Sequence, residues 1–342
     1  MKTNEKSPQK LAISAHSETE NLQSSENLDN FAKILYINPM SDFGFKKIFG
    51  VEKIMIGFLN DLIQPESPIE KITFLDKEKL PDSKSQRGVV YDLLCRTEDD
   101  REFFVEMQNA PQEKFSDRVI YYLSRSIAPQ GQKGKVDGHD WDYELRAIYG
   151  VFLLNFHLND HERLKLRTLR LTVKENNHKV FSDKLNAYII ELPCIKGMKE
   201  EDCKTKLDCW MYNLYNMETT TKPLAFQDVM PVFKEVASQA EFNSMSPEEQ
   251  RRYMYALDEY RSNKAAWDYS IKRSIQKGLQ EGMQEGMQKG MQKGMQEGIQ
   301  KGIQKGKLEE RYKNARALKA IDVPVEKIAK ALGLSVEEIE ML

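Results

Sequence analysis

Two runs of β-favouring residues joined by a short polar segment constrain the fold more than any other part of this sequence. The runs are VVYDLLCR, residues 89–96, and REFFVEMQ, residues 101–108, and the segment TEDD, residues 97–100, connects them. Runs rich in β-branched and aromatic residues that flank a few turn-forming residues are typical of a β-hairpin. The sequence therefore predicts two adjacent antiparallel strands here.

The predicted hairpin carries acidic side chains inside apolar strands. Because side chains alternate between the two faces of a strand, Glu106 and Gln108 are predicted on one face and Val105 and Met107 on the other. Asp92 lies on the partner strand, where the hairpin register brings it near Glu106. Unpaired carboxylates are costly to bury, so a metal ion or a cationic partner is the simplest compensation. A solvated acidic hairpin is the alternative that spacing alone leaves open.

A pair of carboxylates on neighbouring strands suits the chemistry of phosphodiester cleavage. That reaction uses a metal ion to polarise the phosphate and to lower the pKa of the attacking water. Magnesium takes oxygen ligands and typically one or two carboxylates, which Asp92 and Glu106 supply. We interpret the hairpin as the centre of a nuclease core that uses Mg²⁺ or Mn²⁺, with Gln108 pointing into the same site.

Helical patterns surround the hairpin. Residues 41–50, SDFGFKKIFG, predict a helix start at which Ser41 or Asp42 caps the free backbone donors. Residues 52–63 predict a second amphipathic helix, and residues 114–128 predict a third by their apolar spacing. Further strands are predicted in RAIYGVFLLNF, LRLTVKE and NAYIIELPC, and the pattern turns helical and polar from about residue 200 to residue 272.

Glycine recurs at every fourth position near the end of the chain. The eight glycines of this repeat are Gly278, Gly282, Gly286, Gly290, Gly294, Gly298, Gly302 and Gly306. A four-residue period advances about 400° around a helix, so each stripe of residues drifts by about 40° per repeat. Glycine costs about 1 kcal/mol relative to alanine in a helix, which weakens a lone helix. Close pairing with another such helix would offset this cost, so a homo-oligomer is one interpretation and a solvated spacer is the other.

The last twenty residues predict a helix-turn-helix unit. In VPVEKIAKALGLSVEEIEML two short helices flank a Gly-Leu-Ser turn, with Ser335 as N-cap and Glu338 in the capping-box position. The second helix is acidic and lacks the side chains that read bases, which favours a capping or dimer-contact role over DNA reading.

Composition limits the remaining classes. The chain has 342 residues and a net charge of −2, which argues against bulk, unselective nucleic-acid binding but leaves room for a local basic groove. The polar N-terminus lacks the apolar centre of a signal peptide, and no apolar run approaches a membrane span, so we expect a cytoplasmic protein with no membrane partner. The four cysteines form no Cys-x-x-Cys pair and are expected to be reduced thiols rather than disulfides or the ligands of a zinc site. His157 and His161 lack the glutamate of H-E-x-x-H, so we predict no zinc site from that pair.

Several of these segments together resemble a known family. The segments are MSDFGFKKIFG, FLNDLI, VVYDLLCRTEDDREFFVEMQNA and FSDRVIYYLSR. They resemble the Rpn family of recombination-promoting nucleases and transposases, which belongs to the PD-(D/E)xK superfamily. The resemblance extends over residues 36–260, and the glycine repeat with its terminal LGLSVEEIEML is also similar to members of that family.

The resemblance implies an α/β fold with a restriction-endonuclease-like mixed sheet flanked by helices, followed by a helical C-terminal region and an extended repeat helix. It implies Mg²⁺-dependent endonucleolytic cleavage of DNA, linked to recombination or mobile elements. A catalytically inactive relative that binds DNA or protein is the alternative, and a transposase that performs strand transfer is a third possibility. The expected organisation is a disordered leader at 1–35, a nuclease-like core at 36–200, a helical subdomain at 201–272, a repeat helix at 273–310 and a cap at 311–342.

The resemblance also assigns roles to the hairpin residues. Asp92 matches the motif aspartate, Glu106 matches the second acid, and Gln108 stands at the position of the superfamily lysine. Glutamine carries neither the proton nor the charge of lysine, although Glu-x-Gln fits the pattern of this family. A water activated by the metal and oriented by the Gln108 amide is the mechanism that this pattern favours.

Five further residues are implied as participants, each with a structural alternative. Asp42 matches an acidic residue that joins the metal site in this superfamily, and its alternative role is a helix cap. Lys46 or Lys47 is expected to supply the missing positive charge, as a catalytic or a DNA-binding residue. The alternative for each lysine is that it only packs against the core or lies on the surface. Arg118 and Tyr122 are candidates for phosphate contact. Their alternative roles are a salt bridge or core packing.

Overall fold

The computed structural model describes residues 34–76, 78–79, 88–131, 135–136, 139–140, 143–158 and 162–342. The leader expected at 1–35 therefore lies outside the described residues except for its last two positions. The chain divides into two compact units, one that ends at Trp267 and one that begins at Asp268.

The first unit is built on a six-stranded mixed sheet. Its strands are β1 (Ile72–Phe74), β4 (Leu93–Thr97), β5 (Glu102–Gln108), β8 (Ile148–Leu154), β9 (Leu166–Val173) and β10 (Lys179–Glu191), and the short strands β2 (Glu78–Lys79), β3 (Val89–Val90), β6 (Lys135–Val136) and β7 (His139–Asp140) form two separate pairs. The order across the sheet is β1-β4-β5-β8-β10-β9. Strands β5, β8 and β10 run parallel, and the other neighbours are antiparallel.

Strands β4 and β5 are the hairpin that the sequence predicts. Their antiparallel register runs from the pair Leu93 and Val105 to the pair Arg96 and Glu102. The turn between them holds Asp100 at a φ of 64°, a left-handed conformation that aspartate tolerates better than most residues. The hairpin prediction is confirmed.

Helices cover both faces of the sheet. Their ranges are α1 (Asp42–Phe49), α2 (Glu52–Ile63), α3 (Phe115–Ile127), α4 (Lys206–Asn216), α5 (Val232–Ala240) and the long α6 (Pro247–Lys319). Helices α1, α2, α4 and α5 pack on the face that carries Phe103 and Val105, with Trp210 of α4 in their centre. Helix α3 packs on the opposite face, against Phe104 and Phe152. This is the mixed sheet flanked by helices that the family resemblance implies.

The second unit contains the glycine repeat, which is helical as part of α6. Apart from its chain neighbours and the nearby backbone of its own helix, a Cβ atom added at any of the eight repeat glycines would meet no atom of the described residues within 4 Å. The apolar residues of the repeat form a stripe that is between 52% and 76% exposed, consisting of Leu279, Met283, Met287, Met291, Met295, Ile299 and Ile303. We call this set the apolar stripe.

Two short helices end the chain, α7 (Val325–Leu332) and α8 (Val336–Glu340). Between them Gly333 adopts a φ of 62°, and the Ser335 hydroxyl accepts a hydrogen bond from the Glu338 N–H while the Glu338 carboxylate accepts one from the Ser335 N–H. The predicted helix-turn-helix and its capping box are confirmed. Among the described residues, no helix combines the length and apolar character that a membrane crossing requires.

Candidate active site

The two hairpin carboxylates lie where the ladder between β4 and β5 ends. Beyond the last pair, Leu93 with Val105, side chains replace the backbone bonds. The Asp92 N–H donates to Glu106 Oε1 at 3.0 Å, and the Met107 N–H donates to Asp92 Oδ2 at 2.9 Å. Each carboxylate therefore accepts a hydrogen bond from the opposite strand, which fixes both acids in one place.

Gln108 completes this end of β5. Its Nε2 donates to Glu106 Oε2 at 3.1 Å, so the two side chains share one face of the strand, as the alternation predicts. Both are buried, with 2% of Glu106 and 8% of Gln108 exposed. The amide donor is directed at the carboxylate, which leaves the amide oxygen of Gln108 as an acceptor.

Helix α3 brings a guanidinium to the same face. Arg118 Nη2 lies 3.7 Å from Glu106 Oε2 and donates to the Tyr122 hydroxyl at 2.8 Å. The guanidinium also stacks 4.9 Å from the centre of the Tyr122 ring, and that ring packs edge-on against Tyr91. Tyr122 has a packing role and a polar role at once. Its ring packs in the core, and its hydroxyl holds Arg118 beside the acidic pair.

Helix α1 supplies an ion pair next to the hairpin. Ser41 rather than Asp42 caps the helix, since its hydroxyl accepts from the Gly44 N–H at 3.1 Å. Asp42 instead pairs with Lys46, with Oδ1 and Nζ 2.5 Å apart. Burial raises the pKa of Asp92 and the Met107 N–H lowers it, and smaller effects come from the charges of Lys46, which lowers it, and of Asp42, which raises it.

The structure does not bring Lys47 to the site. Its Nζ lies 2.7 Å from Glu249 Oε1, in the first turn of α6, so the neighbouring lysines of α1 have separate partners. Of the eight residues singled out from the sequence, seven gather at the end of the hairpin and Lys47 is the exception.

The turn before α1 is held tightly against the end of β5. The Ser41 hydroxyl donates to the Asn38 carbonyl at 2.8 Å, and a Cβ at Gly44 would lie 2.1 Å from the same carbonyl oxygen, so only glycine fits there. Asn109 donates through Nδ2 to the Met40 carbonyl at 2.8 Å. Sequence reasoning did not single out Asn109, and its only signal is its place directly after Gln108.

The acidic pair is under-compensated in charge. Burial, followed by the charge of Asp92, raises the pKa of Glu106 to about 8, and the Asp92 N–H, Arg118 and Lys46 offset only part of this. Burial also raises the pKa of Asp92, against the lowering effects of the Met107 N–H and Lys46. A buried pair with raised pKa values is the arrangement that a bound cation stabilises in its ionised form.

The donor set at this site fits a hard divalent ion. Asp92 and Glu106 offer carboxylate oxygens, which Mg²⁺ and Mn²⁺ prefer. Asp42 is 65% exposed and engaged by Lys46. In the described part of the chain, three potential metal-ligand atoms lie within 4.8 Å of one another in a different group, in which His157 offers nitrogen, Cys194 sulfur and Glu191 oxygen.

Comparison with known proteins agrees with this geometry. A family model described as PD-(D/E)XK nuclease family transposase matches residues 39–271, a span that holds the whole sheet and every residue of the acidic site. Neither the curated proteins nor the solved structures compared with the chain match it. The family match covers more than half of the chain, and the chain therefore belongs to the PD-(D/E)XK nuclease family transposases.

Proposed function

We propose that this chain is a DNA endonuclease that depends on Mg²⁺ or Mn²⁺ and acts in recombination or in the movement of mobile elements. The observation that carries the proposal is the buried acidic pair, Asp92 and Glu106, cross-linked at the end of the hairpin and lacking full charge compensation. Membership of a nuclease family supports phosphodiester chemistry, and DNA is the substrate that such a family acts on.

Each residue has a role in this proposal. When bound, the metal ion polarises the scissile phosphate and lowers the pKa of the attacking water. Asp92 and Glu106 hold the ion, and their hydrogen bonds to the opposite strand fix them before it binds. The Gln108 amide oxygen accepts a hydrogen bond from the attacking water, and Arg118 and Lys46 stabilise the negative charge of the phosphate.

A nicking assay tests the assignment. Supercoiled plasmid is incubated with purified protein and Mg²⁺, and nicked product is measured for the wild type and for Asp92→Ala and Glu106→Ala. Glu102→Gln is the matched control, because Glu102 is a glutamate of the same strand, 3% exposed, that pairs with Arg96 at the other end of β5. Cleavage that persists in both alanine variants would refute the site.

The role of Gln108 is tested separately. Gln108→Ala removes the amide but leaves both metal ligands, so a loss of Mg²⁺-dependent nicking without a loss of metal affinity supports water orientation. Full nicking by this variant would reject that role and would leave the acidic pair as the essential element.

Asp42 is the third carboxylate that the family resemblance implies for the metal site. Its oxygen is engaged by Lys46, so we propose that it contributes to the metal through rearrangement of this ion pair on binding. Asp42→Asn is expected to weaken Mn²⁺ binding, measured by calorimetry. An unchanged affinity would restrict Asp42 to holding Lys46.

A second candidate function is that of an inactive relative that binds DNA or a protein partner. The observation that favours it is Gln108, whose uncharged amide donates to Glu106 where the superfamily has lysine. Gel-shift binding of DNA without nicking under any divalent metal would support it. Strand transfer, in which a DNA 3′-hydroxyl replaces water as nucleophile, would instead yield joined products when a second duplex is supplied.

We propose further that the repeat of α6 pairs with a second copy of this chain. The apolar stripe is exposed, and the glycines beside it leave space for a close backbone approach. A double variant, Gly286→Ala with Gly290→Ala, separates the two interpretations, because alanine stabilises an isolated helix but blocks close contact. Smaller mass in sedimentation supports pairing. An unchanged number of subunits, both in this variant and after truncation near Lys272, would identify a spacer.

A further inference from the structure

A second cluster of ionisable side chains lies at the carboxyl end of β10, apart from the acidic pair. His157 Nδ1 lies 2.8 Å from Glu191 Oε2, and Cys194 Sγ lies 3.9 Å from the same nitrogen. All three ligand atoms lie within 4.8 Å of one another. Glu191 is the last residue of β10 and is fully buried, while His157 and Cys194 are half-buried.

Local backbone geometry brings two of these residues together. Cys194 lies in the single 3₁₀ turn Leu192–Ile195 that follows β10, three residues after Glu191. This single turn directly after the strand keeps the Cys194 thiol within 4.8 Å of the Glu191 carboxylate. His157 comes from the segment that leaves β8, and the parallel pairing of β8 with β10 places it beside them.

We propose that His157, Glu191 and Cys194 form a zinc site. Imidazole nitrogen, thiolate and carboxylate are the ligands that Zn²⁺ takes, and three protein ligands leave the fourth tetrahedral position for water. Zinc-to-ligand distances of about 2.0–2.3 Å put neighbouring tetrahedral ligand atoms roughly 3.3–3.7 Å apart. The observed separations of 2.8 Å and 3.9 Å lie on either side of that range, so small side-chain rotations create the site.

The surroundings of the cluster supply the support that a bound metal needs. Arg167 contacts the other oxygen of Glu191, Oε1, which orients the carboxylate and leaves Oε2 for the metal. Ligating carboxylates are commonly held by such outer partners. Burial and the charge of Glu191 raise the pKa of the Cys194 thiol, and the charges of Arg163, Arg167 and Lys165 offset only part of this rise, so zinc binding must release the thiol proton. The Cys194 thiolate and the Glu191 carboxylate are the two anionic ligands of this site, and Arg167 contacts the second of them.

The donor atoms separate this site from the acidic pair. Asp92 and Glu106 provide oxygen only, which suits Mg²⁺ or Mn²⁺, whereas nitrogen and sulfur select a softer ion. The proposed zinc site joins the segment after β8 to the turn after β10, so the metal acts as a clip at one end of the sheet. It does not depend on whether the acidic pair cleaves DNA.

Cobalt spectroscopy of the full chain tests the proposal. Metal-free protein is titrated with Co²⁺, and one equivalent is expected to give a thiolate-to-cobalt charge-transfer band that Zn²⁺ then removes. Zn²⁺ at about one hundred times its Kd is expected to raise Tm by about 5–10 °C. Cys194→Ser is expected to lose the band, and His157→Ala to bind Co²⁺ at least about tenfold more weakly.

Two matched variants complete the experiment. Cys203→Ser removes another half-buried thiol and is expected to keep the band, and Asp92→Asn is expected to keep it as well. Absence of the band in the wild-type protein overturns the proposal, as does a band that survives Cys194→Ser. If Cys194→Ser does not fold by circular dichroism, the wild-type spectrum and His157→Ala still decide. Binding that disappears only in Asp92→Asn assigns the ion to the acidic pair and overturns the zinc site.

Discussion

Two glutamates with nearly equal burial have opposite surroundings. Glu106 and Glu191 are 2% and 0% exposed, and both lie on the face of the sheet covered by α3, because Gln108 and Glu191 align through Leu154 of β8. Glu106 faces the Asp92 carboxylate, and Arg118 Nη2 lies 3.7 Å from its Oε2. Glu191 is contacted directly by Arg167 and lies 2.8 Å from an imidazole nitrogen.

The difference shows that burial alone does not define the chemistry of an acid. Two carboxylates that face each other are stabilised in their ionised form by an added cation, and oxygen ligands favour a hard cation. A carboxylate already neutralised by arginine mainly contributes stability, and it accepts a metal only with help from nitrogen and sulfur. Four predictions separate these two centres.

The largest expected effect is on cleavage. Glu106→Gln removes an ionised metal ligand, and the nicking rate with Mg²⁺ is expected to fall by at least about 10³-fold, since metal stabilisation of the transition state amounts to several kcal/mol. Glu191→Gln is expected to change the rate per folded molecule by less than about tenfold. Equal losses in the two variants would remove the distinction between the centres.

The second effect is on stability, and here the larger change is expected for the Glu191 variant. Glu191→Gln leaves the guanidinium of Arg167, of which 14% is exposed, without its carboxylate, and the free energy of unfolding is expected to fall by about 3–5 kcal/mol. Glu106→Gln replaces an under-compensated acid with its neutral isostere and is expected to leave stability unchanged or higher at pH 8. Urea unfolding in the presence of a chelator measures both, and a Glu191 variant as stable as the wild type would contradict the prediction.

The third effect is a pH dependence of the metal-free protein. Because burial raises the pKa of Glu106 from its ordinary value of 4.5 to about 8, the folded state binds more protons than the unfolded state between those values. The contribution of Glu106 to stability is therefore present below about pH 4.5 and is lost as pH rises toward 8, by about 1.4 kcal/mol or less per pH unit. Thermal melts across this window are expected to show a larger loss in the wild type than in Glu106→Gln, in which Asp92 alone retains a raised pKa. Saturating Mn²⁺ is expected to reverse it, and a flat wild-type profile would contradict the raised pKa.

The smallest effect concerns a charge that acts without direct contact. Lys46→Gln removes the cation beside Asp92, and the cleavage rate is expected to fall by about 10–100-fold, in the range found for supporting groups of metal sites. Lys47→Gln is the matched control, because that lysine is paired with Glu249. Similar rates for the two variants would show that Lys46 is structural.

Local patterns were sufficient to predict much of this fold. Alternation and turn composition predicted the hairpin, helical spacing predicted α3, and the N-cap signals predicted α1 and α8. These features depend on residues within a few positions of one another, which a single sequence displays. The face shared by Glu106 and Gln108 follows from the same alternation and is confirmed.

Local sequence patterns could not predict the contacts between distant segments. His157 and Glu191 are 34 positions apart and meet only because β8 and β10 pair in parallel, a register that no local pattern displays. The hydrogen bond from Asn109 to the Met40 carbonyl likewise joins segments that are far apart in the sequence. Lys46 and Lys47 are equivalent in the sequence, and the placement of α1 against α6 and the hairpin distinguishes them.

The four-residue repeat of α6 dictates the handedness of any superhelix built on it. A period of four exceeds the 3.6 residues of a helical turn, so the apolar stripe coils around the helix axis in the right-handed sense. From Leu279 to Ile303 it turns through about 240°. A straight partner helix would lose contact with the apolar stripe after two or three of its residues. A partner that follows it must wind as a right-handed coiled coil, opposite in hand to one built on heptads.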